Sequence, residues 1–432
     1  MLLAGGGTAG HVNPLLAVAD ELAARHPTAR LTVLGTSEGL EATLVPHHGL
    51  PLAIVPRVPL PRRPGPDLLR LPGRLRAAVV AAGRAIDESG AQVVVGFGGY
   101  VSTPAYLAAR RRRIPVVVHE QNARPGLANR VGARGAAAVA VTFAGTRLRG
   151  AQVTGLPLRA AIARLVADRA RDAVGTRRAG AVALGLDPQR VTLLVSGGSL
   201  GAVSVNHAAV GAAGAVLATD AQALHLAGRG KGDEVLAALV GVPGREHYHV
   251  LEYLEEMERA LAVADLVVGR AGAGTVCELA ALGIPAVYVP LPIGNGEQRL
   301  NAALVVAAGG ACSSRMPISP ATGWLTGCPG CWWGPDRPTG VRGWRPQPPR
   351  SGSGTVRSGS PTWSSGRRDC ARRSPVRRPP TWAWSVRPRP TGPRRLPLPV
   401  TRWACSGGCT SWVSAVRGCP RSRCCYSPGG SP

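Results

Sequence analysis

Apolar residues in the first 311 positions follow two alternating rhythms. Short runs dense in Leu and Val alternate with longer stretches in which apolar residues recur every three or four positions. The first rhythm is that of a strand buried on both faces, the second that of an amphipathic helix. Their alternation predicts α/β domains built on parallel sheets. Residues 1–4 read as a clipped first strand, which suggests a start a few residues late, and 5–10 as a glycine-rich turn. The helix that follows places Val12, Leu15, Leu16, Ala19 and Leu22 on one face. Further strands are expected at 31–35, 92–96, 115–119, 137–141 and 151–154, and the Arg/Ala-rich stretch 159–180 reads as a helix or loop between domains. A second alternation begins at 191–195, closes on Ser196-Gly197-Gly198-Ser199, and continues through 224–227, 249–252, 266–268 and 286–289. Two Rossmann-like halves are therefore expected, 1–158 and 159–311, each with its own glycine-rich first turn.

The pattern stops at Cys312. Residues 312–432 hold all nine Trp, nine of the ten Cys, 20 of the 39 Pro and 20 Arg, with no Lys and only Asp336 and Asp369 as acids. That segment carries +18 of the chain's +27, leaving residues 1–311 with 31 basic and 22 acidic side chains, a net of +9. A charge of +27 would ordinarily point to nucleic acid or an anionic membrane. Here most of it lies in a stretch without periodicity, repeats or interleaved aromatics, so no nucleic-acid partner is expected. The composition is that of a GC-rich gene read out of frame. One base earlier, 312–320 can be read as LLVPDADLT, a strand and turn continuing 302–311. In the same shifted frame 409–431 can be read as VHFVGIGGAGMSAVALLLLARGV, which resembles the opening of UDP-N-acetylmuramate–alanine ligase. A frameshift near 311 would leave the second domain incomplete and 312–432 a disordered tail, about three-tenths Pro plus Gly. Pairs such as Cys328 and Cys331 are then not zinc ligands.

Within 1–311 the only Cys is Cys277, which fits a reducing cytoplasm. The start has no basic segment before an apolar run, and nothing reaches the roughly 18 consecutive apolar residues of a membrane span. Any membrane contact is expected to be peripheral. Pro61-Arg62-Arg63-Pro64 precedes a helix with Leu68, Leu71, Leu75 and Val79 on one side and Arg70, Arg74 and Arg76 nearby, and Arg110–Arg113 add charge. Such a stripe suits shallow insertion at an anionic leaflet, and equally an ordinary helix packed on the sheet.

Four glycine-rich segments recur at strand ends: 5–11, 96–100, 197–201 and 270–275. A strand running through glycines into a helix puts free N–H groups where an anion can approach, although a single such turn serves equally to redirect the chain. Gly5-x-Gly7-x-x-Gly10 fits the dinucleotide pattern formally. No acid ends the next strand, however, and Glu38 lies three residues past it, which disfavours NAD. Glu278, one turn into the helix after 270–275, can accept two ribose hydroxyls or simply complement the helix dipole.

The ordered segments GGGTAGH, GFGGYVSTP, HEQNARPGLANR, TGLPLR, GGSLGA, EYLEEM and RAGAGTVCELAALGIPAVYVPLP make 1–311 resemble the MurG family. Its members are UDP-N-acetylglucosamine:lipid I N-acetylglucosaminyltransferases of peptidoglycan and cell-wall synthesis, with two Rossmann-like domains facing across a cleft (GT-B). The resemblance implies that Thr8, Ala9 and Gly10 lie against the donor, with Asn122 and Arg159 reaching it from the N-terminal half. It implies that Ser199 touches the diphosphate and Leu254 meets the uracil through its backbone. Ala273, Gly274, Thr275, Val276, Cys277 and Glu278 would hold phosphates and ribose, with Glu278 on the ribose hydroxyls, and Gln298 would bind the sugar hydroxyls. Gly274 and Cys277 replace bulkier or more polar residues of some relatives and are expected to act through backbone. The implied partners are UDP-N-acetylglucosamine, undecaprenyl-linked lipid I and the anionic cytoplasmic face of the cell membrane.

No Asp-x-Asp pair occurs in the chain, so neither a metal nor a cofactor is expected. Helix N-termini and Arg159 would stabilise the leaving diphosphate. The resemblance implies single displacement with inversion by the C4 hydroxyl of lipid-linked N-acetylmuramic acid. His11 is the candidate base, with a purely orienting role as its alternative. Three other readings stand beside this one: a GT-B transferase with a different acceptor, a basic binding protein without catalysis, and an inactive frameshifted product.

Overall fold

The structure, a computed structural model, describes residues 1–58, 66–198, 201–292 and 295–313. The expected segments at 61–64, Ser199 and everything from 314 on, including the tail read as disordered, lie outside the described residues. In the first half the elements are Leu2–Gly5 (β1), Ala9–Arg25 (α1), Thr32–Gly35 (β2), Glu41–His47 (α2), Leu52–Ile54 (β3) and Pro66–Ser89 (α3). Val94–Gly98 (β4), Ser102–Arg111 (α4), Val116–Glu120 (β5), Leu127–Gly132 (α5), Ala138–Val141 (β6) and Ala151–Val153 (β7) complete it. In the second half they are Ala160–Arg171 (α6), Ala173–Ala183 (α7), Thr192–Ser196 (β8), Val203–Gly211 (α8), Ala213–Leu217 (α9), Gln222–Leu226 (β9) and Gly232–Ala238 (α10). Tyr248–Leu251 (β10), Met257–Val263 (α11), Leu266–Gly269 (β11), Ala273–Leu282 (α12), Ala286–Tyr288 (β12), Glu297–Ala307 (α13) and Ala311–Ser313 (β13) follow.

Every strand pairing is parallel, as doubly buried apolar runs joined by helices require. The sheet orders are β3-β2-β1-β4-β5-β6-β7 and β10-β9-β8-β11-β12-β13. In both, the chain builds outward from a central strand and then crosses to that strand's other side. The direction reverses between β1 and β4 in the first sheet and between β8 and β11 in the second. A crevice opens at the carboxyl ends of the strands flanking such a reversal. The two expected Rossmann-like halves are present, and all four glycine segments lie at these reversal points.

Two apolar clusters cover the faces of the first sheet, one around Val79, Ile86, Tyr106 and Val118, the other around Leu3, Leu15, Val33 and Phe97. The largest cluster of the second half holds Ile162 and Leu165 of α6, Val276 and Leu279 of α12, and Phe143 from the end of the first half. Residues 159–180 therefore belong to the second half. They form two helices broken at Asp172, an extended residue (φ −148°) whose carboxylate caps α7 by accepting the Gly175 N–H at 2.9 Å. β4 lies two residues later than expected, because Gly96 and Gly98 belong to the strand. A Cβ at Gly96 would stand 2.0 Å from the Tyr106 hydroxyl oxygen, so the glycine lets α4 press onto the sheet. A bulge between the Ala4–Gly96 and Gly5–Gly98 pairs directs Phe97 into the core.

The structure bears on the expected insertion stripe only toward the C-terminal end of α3. Val79 is buried in the first-half core, Leu75 packs against it, and Arg112 forks onto Asp87 at 2.7 and 2.6 Å, tying α4 to α3. Arg70, Arg74 and Arg76 are solvent-exposed, as are Pro72, Ala77 and Val80 beside them. Leu71 is partly exposed and belongs to neither cluster, and the side chain of Leu68 lies outside the described residues.

Candidate active site

In the first half, β1 runs through Gly6 and Gly7 into α1, and β4 ends beside it on Gly98-Gly99. Gly99 has φ +81°, and a Cβ there would meet the Gly6 carbonyl oxygen at 2.4 Å. Only glycine allows the two turns to lie back to back. Ser102, fully buried, fixes the arrangement: its hydroxyl accepts the Gly98 N–H at 2.9 Å and faces the Ala4 carbonyl at 3.0 Å.

His11 is the third residue of α1. Its Nδ1 lies 3.1 Å from Thr8 Oγ1, and a Cβ at Gly98 would come within 3.1 Å of its Nε2, so the glycine makes room for the ring. Burial lowers the His11 pKa below its ordinary value of 6.5. Glu120, the Gly6 carbonyl and Glu41 oppose that shift without cancelling it. The imidazole is neutral at neutral pH. When Nδ1–H donates to Thr8, the Nε2 lone pair remains free to take a proton.

Two carboxylates flank this histidine that the sequence reading did not single out. Glu120, at the end of β5, is 2 % exposed. Its oxygens accept N–H groups from Asn122 and Gly126 and the Asn129 Nδ2, all at 2.9 Å. It therefore shapes the HEQNARPGLANR loop from within. Glu41, at the start of α2, is fully buried and accepts the Gly7 N–H at 2.8 Å, the Thr36 N–H at 3.0 Å and the Thr36 hydroxyl at 2.8 Å. Cβ atoms at Gly6, Gly35 or Gly39 would fall 2.0–2.5 Å from its side chain. Three glycines thus cradle one carboxylate beneath the first turn. A cleft of about 580 Å³ reaches from His11, Glu120 and Asn122 to Arg57, Tyr100, Leu71 and Leu75. Among the described residues its lining comes from the first half.

The second half offers a different surface. β11 leads through Arg270-Ala271-Gly272 into α12, whose cap is Gly272 and has no side-chain partner. Val276 N–H bonds back to the Gly272 carbonyl, whereas the N–H groups of Ala273, Gly274 and Thr275 precede the first intrahelical bond. Ala273 and Val276 turn their side chains into the core, so either could meet a ligand only through backbone. Gly274, Thr275 and Glu278 remain partly open. Cys277 packs against the same core, and burial, with Glu278 adding to it, pushes its thiol up to about 12.

Glu278 accepts a bidentate fork from Arg159, Nε–Oε1 at 3.0 Å and Nη2–Oε2 at 3.1 Å. Arg159 was expected to reach the donor from the N-terminal half. It instead caps α6, which packs in the second-half core, and approaches from that side. Leu254 sits half-buried in the loop after β10. Gln298 accepts the Leu291 N–H at 2.9 Å, which holds that loop. Asn122 does not stand free: its Oδ1 accepts from Asn301 at 3.2 Å, and Asn301 Oδ1 accepts the Ala123 N–H at 2.8 Å. The structure thus gathers Thr8, His11 and Asn122 at the first crevice and Arg159, Ala273–Glu278 and Gln298 at the second, with Asn301 between them.

Residues 1–141 match the model of the glycosyltransferase family 28 N-terminal domain, and residues 192–316 that of its C-terminal domain. A protein of Paenarthrobacter aurescens (strain TC1) is 55 % identical over 311 residues, covering 72 % of this chain and 82 % of that protein. It is named UDP-N-acetylglucosamine–N-acetylmuramyl-(pentapeptide) pyrophosphoryl-undecaprenol N-acetylglucosamine transferase. A protein of the same name from Clavibacter sepedonicus is 56 % identical over 310 residues, covering 72 % of this chain and 81 % of its own length. The crystal structure of Acinetobacter baumannii MurG superposes with a TM-score of 0.58 at 29 % identity, over 74 % of this chain and 87 % of that one. On this sequence identity, shared architecture and pair of glycine-lined crevices, the chain belongs to the MurG family of glycosyltransferases.

Proposed function

We propose that this chain transfers N-acetylglucosamine from UDP-N-acetylglucosamine to the C4 hydroxyl of lipid-linked N-acetylmuramoyl-pentapeptide, with inversion at the anomeric carbon. The observation that carries the reading is His11, neutral by burial, anchored through Nδ1 and facing the first-half cleft. The acceptor occupies that cleft with its sugar toward His11, and the donor lies against α12 in the second half. Nε2 takes the hydroxyl proton as the acceptor oxygen bonds to the anomeric carbon. The bond from that carbon to the diphosphate oxygen breaks, and UDP departs with the electron pair. The unpaired N–H groups at the start of α12 face the charge that develops on the diphosphate. Glu278, oriented by Arg159, accepts the ribose hydroxyls with its remaining lone pairs, and Gln298 meets the sugar. Ser199 is assigned to the diphosphate and Leu254 to the uracil on the resemblance alone.

None of the described helices is long and apolar enough to cross a membrane. Peripheral attachment at the cytoplasmic face is part of the proposal, and the contact is assigned to the segment around 61–68. The out-of-frame reading of 312–432 also stays a proposal. Resequencing across the codons for 302–320 tests it, and a single extra or missing base is the expected finding.

The decisive assay follows radiolabelled sugar from UDP-N-acetylglucosamine onto a lipid-linked acceptor, using the full chain and its His11→Ala variant. Loss of the base should lower kcat by about 10²- to 10⁴-fold. An unchanged kcat would remove His11 from the mechanism, and transfer to a different acceptor would replace the substrate.

A further inference from the structure

Asn301 lies one turn after Gln298 on α13 and is fully buried. Its side chain spends three of its four hydrogen-bonding positions on two different loops. Oδ1 accepts the Ala123 N–H at 2.8 Å. Nδ2 donates to Asn122 Oδ1 at 3.2 Å and to the Ala271 carbonyl at 3.3 Å. Asn122 and Ala123 belong to the loop that Glu120 shapes beside His11, on the acceptor side. Ala271 immediately precedes the Gly272 cap of α12, on the donor side. Packing alone does not call for a carboxamide here. A leucine would fill similar volume, but it would leave the half-buried Ala123 N–H without its side-chain acceptor, which costs stability.

We infer that Asn301 is a positioning residue that locks the acceptor-side loop at 120–126 to the donor-side loop at 270–272, setting the distance between the base and the sugar donor. The inference rests on the function proposed above. Asn301 touches neither substrate in that reading and acts through Asn122, Ala123 and Ala271. Its neighbour Gln298 holds Leu291, so one face of α13 joins the sugar-side loop to the acceptor-side loop.

Transfer kinetics and amide exchange on the full chain carrying Asn301→Ala separate this role from simple structural support. The kcat should fall about 10- to 100-fold, as misplacement of reacting groups by about an ångström produces. The KM for UDP-N-acetylglucosamine should stay within about threefold, because the α12 N-terminus is intact. Exchange at the Ala123 amide should speed up at least about tenfold, since its acceptor is gone. In a cycle with Asn122→Ala the double variant should be no slower than the slower single variant. Additive losses, an unchanged Ala123 amide, or a donor KM that rises while kcat holds would each overturn the inference. Asn301→Ser, which keeps a polar group at the site, supplies the same readouts if the alanine variant does not fold. If the parent chain transfers no sugar, the function fails, and the Ala123 amide still decides whether the latch exists.

Discussion

Replacing Glu41 by Gln tests whether the first turn is held from beneath by a charge. The carboxylate accepts three hydrogen bonds of 2.8–3.0 Å in a site with no solvent exposure. Gln has almost the same shape but only one acceptor oxygen, so its NH₂ must face the N–H of Gly7 or of Thr36. A hydrogen bond to a charged group contributes about 1.5–3 kcal/mol, and a buried donor left unmatched costs a similar amount. The expected loss is about 3 kcal/mol at pH 7, which lowers Tm by about 6–12 °C in a domain of this size. Burial raises the carboxyl's pKa, but the N–H groups of Gly7, of Glu41 itself and of Thr36, with the Thr36 hydroxyl, outweigh burial and leave it below the ordinary value of 4.5. A depressed carboxylate stabilises the fold above its unfolded pKa and loses that contribution as pH falls through the folded value. The deficit of the Gln variant should therefore be full at pH 7 and shrink below about pH 4. Urea unfolding followed by far-ultraviolet circular dichroism at both pH values reads it. A deficit under about 1 kcal/mol at pH 7, or one that does not change in acid, would refute the account.

Three further outcomes are expected. The acid limb of kcat/KM should have its midpoint below 6.5, because burial lowers the His11 pKa, and Glu120→Gln should move it lower still by removing a charge that favours the imidazolium. A midpoint that rises in that variant would contradict the assignment. Gly99→Ala should destabilise the first half by about 1–3 kcal/mol in thermal melts, since φ +81° and a 2.4 Å approach to the Gly6 carbonyl oxygen both oppose a Cβ. Arg159→Lys replaces a two-pronged fork on Glu278 by a point charge. It should raise the donor KM about tenfold while changing kcat less, and initial-rate kinetics over donor concentration would show whether it does.

Much of the fold was legible because burial on both faces of a parallel strand leaves a plain apolar run. β1, β2, β5, β6 and most second-half strands fall within two residues of expectation. β3 was missed because Leu52–Ile54 lies at the sheet edge and its residues are partly exposed. The glycine turns were legible as turns, but their contents were not. Glu41 sits in an unremarkable stretch, and its role emerges only when Gly6, Gly35 and Gly39 are seen to make space for it. Asn301 is one polar residue in an ordinary helical pattern, and its significance depends on Ala123, 178 positions away. Arg159 was misplaced as to side: the expected boundary at 158/159 already put it in the second half, where α6 packs through Ile162 and Leu165.

The reversal of strand order in each sheet has a consequence for how the chain comes off the ribosome. After the first strand of each half, every described strand but one pairs with the strand made immediately before it. The exceptions are β4, which begins at Val94 and must return to β1, ending at Gly5, and β11, which begins at Leu266 and must return to β8, ending at Ser196. At about 5–20 residues per second, each central strand waits several seconds for its second partner. During that interval the backbone edges of Leu2-Leu3-Ala4 and Leu193-Leu194-Val195 stand open to pairing with other chains. Two of the four strands that end in glycine turns, β1 and β8, are thus also the ones whose edges stay open longest during synthesis.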